Sequence, residues 1–229
     1  MDFTWIGNNL ADIGANLGLH VILSVAPVLI ALVISLPVGY LLHRTGRTAN
    51  VWVALIGLLY AVPSVALFVA MPLLLGTQIL DPINIVIALS AYGVALLVRS
   101  VVDGFRRVEE SVRLSADAMG YGSVRRVLTV ELPLAMPVVF SGLRVVTVST
   151  ISMVSVGAVI GNGALGQYFD LGFRQNFLTP VIVGIILIMA LALLADGLIL
   201  LTQRVTLPWY GLRTRQARSR GPRPTEVIV

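Results

Sequence analysis

Residues 180–203 read PVIVGIILIMALALLADGLILLTQ, and Asp196 is the one charged side chain in that run. A helix needs about 20 mostly apolar residues to cross the hydrocarbon of a bilayer. This stretch meets that length, and no water-soluble domain needs it. Four more stretches upstream behave alike: Leu17–Leu42, Val51–Leu75, Ile83–Val102 and Pro137–Ile160. Pro27, Pro37, Pro63 and Pro72 interrupt them. Membrane helices tolerate interior prolines where neighbours satisfy the freed backbone groups. The expected fold is therefore an all-α polytopic membrane protein with five transmembrane helices.

Composition agrees. Of 229 residues, 57% are hydrophobic and only 12% are charged, against about a quarter charged in soluble domains. No cysteine is present, which excludes disulfides, thiolate catalysis and cysteine-ligated metals. All 16 basic residues are arginine. Without lysine the chain has no Schiff-base chemistry and no phosphate-gripping P-loop residue, so it is not an ATPase by itself. His20 and His43 lie far apart and make a poor metal pair. No cofactor or metal is expected, and no nucleophile–base pair marks an enzyme. The N-terminus carries Asp2 and Asp12 with no arginine before Arg44. A secretory signal opens with a basic region, so the first apolar segment is expected to stay in the mature protein.

The arginines orient the spans, because positive charge collects on the cytoplasmic side. Arg44 and Arg47 follow the first span, and Arg99, Arg106, Arg107, Arg113, Arg125 and Arg126 cluster around the end of the third and the loop after it. Arg204, Arg213, Arg215, Arg218, Arg220 and Arg223 follow the fifth span. The other side has only Arg174, and Arg144 lies within a span. This predicts an N-terminus outside and a C-terminus in the cytoplasm. Residues 1–212 form the expected transmembrane domain. Residues 213–229 form a basic cytoplasmic tail, read as solvated and in contact with anionic lipid. The basic bias follows from topology, so nucleic acid is not an expected partner.

The connection from Asp103 to Met136 is long, and long connections tend to be functional. Apolar residues recur at helical spacing on both sides of Gly120-Tyr121-Gly122. This predicts two short amphipathic helices around a glycine turn, with Leu132-Pro133 opening the next helix. The residues alone fit two readings equally: a helix lying on lipid, or a docking surface for a partner.

Within this connection, Ala116-Asp117-Ala118-Met119-Gly120, nine residues, then Val130-Glu131-Leu132-Pro133 resembles the EAA loop of ABC importer permeases. Gly120, Val130, Leu132 and Pro133 hold the spacing. The Glu-Ala-Ala itself falls on Leu114, Ser115 and Ala116, so the glutamate is missing. Val62-Pro63-Ser64-Val65-Ala66-Leu67-Phe68, Gly142-Leu143-Arg144 and Ile160-Gly161-Asn162-Gly163-Ala164-Leu165-Gly166 resemble segments of the osmoprotectant branch, which carries glycine betaine, carnitine and choline. The resemblance covers about Val51 to Phe173. Leu96 and Ser100 depart from it, standing where many members have proline and asparagine.

The resemblance implies a permease in a bacterial cytoplasmic (inner) membrane. It implies two copies of a cytoplasmic ABC ATPase, a second permease and an extracytoplasmic substrate-binding protein. The substituted loop glutamate suggests a paralogous second permease that keeps it. Ala116, Asp117, Ala118, Met119, Gly120, Val130, Leu132 and Pro133 are the expected ATPase-coupling residues. Arg144 and Asp196 are the intramembrane charges, read as a structural ion pair or a gating element. Tyr60, Pro63, Ser64, Phe68 and Tyr92 are candidate pathway residues. Tyr60, Phe68, Tyr92 and Phe140 are aromatic and suit a quaternary ammonium, although membrane aromatics serve packing more often. Other readings are a permease for another small solute such as an amino acid, or an ATP-independent secondary transporter subunit.

Overall fold

The computed structural model describes residues 3–209. The expectation for the tail, residues 213–229, lies outside the described residues. A short α1 (Phe3–Asn8) leads into α2 (Leu10–Arg44), which runs unbroken through Pro27 and Pro37. Then come α3 (Ala49–Gly57), α4 (Ser64–Leu75) and α5 (Pro82–Arg106). Two short helices follow, α6 (Glu110–Ala118) and α7 (Ser123–Arg126), before α8 (Leu132–Val154). The chain closes with α9 (Gln167–Gln175) and α10 (Leu178–Thr206). No β-strand occurs among the described residues.

α5 sits at the centre of the bundle. Ala88, Leu89, Leu97, Val98, Val101 and Phe105 are all buried on it. α2 and α8 pack on either side at close range, because small residues let the backbones approach. A Cβ on Gly93 of α5 would lie 2.6 Å from Ala31 of α2, and one on Gly39 would lie 2.5 Å from Val101. On the other side, a Cβ on Gly104 would lie 2.9 Å from the Ala135 carbonyl of α8. α10 is peripheral and exposes Leu193, Leu194, Leu198 and Leu201. A helix apolar all round, with so little of it buried, is built for lipid or a partner.

Four helical segments are long and apolar enough to cross a membrane: α2, α5, the segment Ser123–Ile160 that contains α8, and α10. The expected second span differs from a straight helix. Its halves, Gly46–Ala61 and Ser64–Leu75, meet at 94°, so it makes a fifth crossing only if the bent pair counts as one. Pro63 explains the break. The residue before a proline avoids the helical region, and Val62 is extended (φ −68°, ψ 132°). The Tyr92 hydroxyl donates to the Val62 carbonyl at 2.5 Å, which holds the bend against α5.

The loop also departs from expectation at its second helix. α7 is one turn long and passes through a π-helical turn, Val127–Glu131, directly into α8. Leu132-Pro133 opens α8 as expected, with Pro133 in its first turn, but the helix continues from the preceding turns without a break. Pro133 cannot donate a backbone hydrogen bond, and the widened turn lies just before it. The segment Gly161–Gly166 is packed inward, with Ala164 and Leu165 fully buried.

Candidate functional site

The residues expected to couple to an ATPase gather at one end of the bundle. α6 ends in a left-handed cap. Gly120 takes φ 81°, its N–H donates to the Asp117 carbonyl at 2.9 Å, and the Tyr121 N–H donates to the Ala116 carbonyl at 3.1 Å. This paired pattern closes the helix and satisfies its last carbonyls, and glycine fits the left-handed residue without strain. A Cβ on Gly120 would meet nothing, so the backbone angle, not crowding, selects glycine there. Ala116 is buried against the protein, whereas Asp117, Ala118, Met119 and Gly120 face outward. Leu114, Met119, Val124 and Leu128 are each more than half exposed and form the apolar part of this outer surface. Val130, Leu132 and Pro133 are partly buried behind it.

Behind α6 lies a residue that the sequence reading passed over. Glu131 occupies the spacer position between Val130 and Leu132, yet its side chain is only 3% exposed. It accepts a hydrogen bond from Arg126 Nε at 2.9 Å and lies 3.4 Å from Arg113 Nε. Arg126 Nη1 also donates to the Asp117 carboxylate at 2.5 Å. Arg113 Nη2 donates to the Phe105 carbonyl at 2.8 Å and meets His43 Nε2 at 3.0 Å. One buried carboxylate, through Arg113 and Arg126, thus ties α6 and α7 to the C-terminal ends of α2 and α5. A buried charge is tolerated only when paired and hydrogen-bonded; here Arg126 supplies the hydrogen bond and Arg113 a second ion pair. The acidic residue in Val-Glu-Leu-Pro was the available signal. Its partners come from two other elements, which spacing alone does not reveal.

Where α10 packs on α8, Arg144 and Asp196 meet, both partly exposed. Arg144 Nε donates to Asp196 Oδ1 at 2.5 Å and Nη2 to Oδ2 at 2.7 Å, a two-pronged pairing of α8 with α10. This geometry is the strong form of an arginine–carboxylate contact. The candidate pathway aromatics divide. Phe68 and Tyr92 are 1% and 2% exposed and belong to a core cluster with Leu23, Leu89 and Val154. Tyr60 stacks edge-on against Tyr92 at 5.6 Å, and Pro63 and Ser64 stand at the bend, exposed and partly exposed. No cluster of metal-binding side chains occurs among the described residues.

The far end has its own polar contact. The Tyr168 hydroxyl of α9 donates to Asp12 Oδ2 at 2.8 Å and accepts from Asn16 Nδ2 at 3.2 Å. Burial pushes the Tyr168 hydroxyl up to about 12, so it stays protonated and able to donate.

The chain is similar to known transport proteins. The chain is 25% identical over 205 residues to the glycine betaine/carnitine/choline transport system permease protein OpuCB of Bacillus subtilis (strain 168), covering 90% of this chain and 93% of that one. It is 31% identical over 192 residues to the osmoprotectant import permease protein OsmW of Salmonella typhimurium (strain LT2), covering 82% and 89%. Among solved structures, a chain of the MetNI methionine ABC transporter in an inward-facing conformation is similar, with a TM-score of 0.76 over 87% of this chain and 98% of that one. At 19% identity that likeness shows the shared fold alone. Residues 31–206 match the family described as binding-protein-dependent transport system inner membrane component, and the chain belongs to that family, as a permease subunit of an ABC importer.

Proposed function

We propose that this permease carries quaternary ammonium osmoprotectants such as glycine betaine, carnitine or choline. The observation that carries the solute class is the similarity to OsmW and OpuCB over nearly the whole of both chains. Residues 1–212 are the transmembrane domain, with the N-terminus outside and the C-terminus in the cytoplasm. The coupling loop, residues 103–136, contacts one of two ABC ATPases. Ala118, Met119 and Gly120 meet the ATPase. Ala116, Val130, Leu132 and Pro133 seat the loop on the bundle, and Asp117 holds Arg126. A second permease, a paralogue with the loop glutamate that is absent here, completes the pathway. An extracytoplasmic binding protein delivers the solute. Pro63 and Ser64 stand at the bend as pathway candidates beside Tyr60. Phe68 and Tyr92 support that bend from the core.

The mechanism follows from rigidity. Closure of the ATPase pair moves α6, and the Glu131 contacts transmit that movement to α8, because α7, the π-helical turn and α8 form one continuous run. The chain supplies no energy itself. Uptake of labelled glycine betaine into vesicles holding the full complex tests this reading. ATP-dependent uptake that also requires the binding protein is expected. Transport of an unrelated solute, with none of the three osmoprotectants competing, would refute the solute class.

A further inference from the structure

A cavity of about 900 Å³ lies between the last turns of α8, α9 and the first half of α10. Its volume is in the range of small-molecule sites, about 300–1,000 Å³. Ser152, Ser155, Met189 and Ala192 line it, and Asp170 and Arg174 stand at its rim, paired at 2.7 Å. Residues four apart share a helix face. Asp196 follows Ala192 by one turn on α10. On α8 the same spacing leads from Ser152 through Val148 to Arg144. The α8–α10 seam that walls the cavity thus runs on to the Arg144–Asp196 pair, which stands just beyond the lining, one turn past Ala192 and two turns from Ser152.

That pair is not sealed. Its side chains are 37% and 25% exposed, and Ser141 and Ser152 are exposed along the same side of α8. Half-open charges within spanning helices are costly against hydrocarbon and face a protein interior or a water-filled cavity instead. From this geometry we propose that the groove is a solute subsite for a small zwitterion, with Arg144 taking the carboxylate and Asp196 the cationic end. Charge balance favours a zwitterion. The empty pair is neutral. When a carboxylate takes the Arg144 fork from Asp196, the freed Asp196 carboxylate meets the ligand's own cation. The site stays neutral at each stage, and no charge is stranded in a low-dielectric setting. A plain cation would have to pull Asp196 away and leave Arg144 unpaired. The subsite rests on the osmoprotectant reading and narrows it to the carboxylate-bearing solutes, glycine betaine and carnitine.

The test uses the full complex with its ATPase, second permease and binding protein, in proteoliposomes. A purely structural ion pair can be replaced by apolar residues at little or no cost, so the double variant Arg144→Leu/Asp196→Leu separates the two roles. Expected is at least a tenfold loss of glycine betaine uptake, with the amount of assembled complex retained. Uptake within twofold of wild type would overturn the subsite, as would loss confined to assembly. Arg144→Gln reports on the carboxylate: glycine betaine uptake should fall at least fivefold more than choline uptake, and an equal fall overturns the assignment of Arg144. A wild-type complex that carries choline but neither zwitterion also overturns it. A wild-type complex that carries none of these solutes refutes the osmoprotectant reading and, with it, the ligand named here.

Discussion

Glu131→Gln removes the charge at the hub of the coupling loop while keeping its shape. Glu131 is 3% exposed, and each of its two arginines is 19% exposed. Removing one partner of a fully buried pair costs about 3–5 kcal/mol. Three features reduce that here. Glutamine keeps one acceptor oxygen, Arg126 retains Asp117, and water reaches both guanidinium groups. The loop should lose about 2 kcal/mol of docking free energy, or about a 30-fold fall in the ratio of docked to released α6. Hydrogen exchange of the amides of residues 112–118 should accelerate by a similar factor. In the assembled transporter, more ATP should be hydrolysed per solute imported, because ATPase closure then moves a loosened helix. Exchange within twofold of wild type, together with unchanged ATP per solute, would refute the view that Glu131 ties the loop to the bundle.

Three further outcomes follow from the same geometry. Gly120→Asp should lower uptake strongly while the protein stays in the membrane. Gly120→Ala should lower it less, since alanine costs about 1–2 kcal/mol in the left-handed region and meets no neighbour; equal uptake by all three proteins, measured in vesicles, would argue against the cap. Gly93→Leu should abolish folded protein, because even a Cβ would lie 2.6 Å from Ala31; normal yield in a detergent-stability assay would contradict the close packing of α2 on α5. The permease pair should be a heterodimer, so expression of this chain without its paralogue should give no uptake. A purified homodimer with full activity would contradict that.

Much of this was legible in the sequence because membrane spans are set by length and hydropathy alone. α2, α5, α8 and α10 fall where the apolar runs lie, although α5 extends to Arg106 and not to Val102. Arg144 and Asp196 were legible as partners because few charges are affordable inside the bilayer. The 94° bend was only half legible. Pro63 marks a break, but the Tyr92 hydroxyl that meets the bend from α5 comes from a distant part of the chain. α9 was missed because a nine-residue amphipathic helix leaves no bilayer-length signal. Glu131 was missed for a different reason: a lone carboxylate in a loop reads as solvated until tertiary packing buries it beside two arginines.

This chain should conduct an osmoprotectant only when an ATPase drives its coupling loop. Uptake of labelled glycine betaine into proteoliposomes measures this directly, with the complex assembled from both permeases, the ATPase and the binding protein. Uptake should require ATP and the binding protein, and Glu131→Gln should reduce solute imported per ATP hydrolysed. Uptake that persists without ATP or without the ATPase subunits would contradict ATP-driven import through this chain.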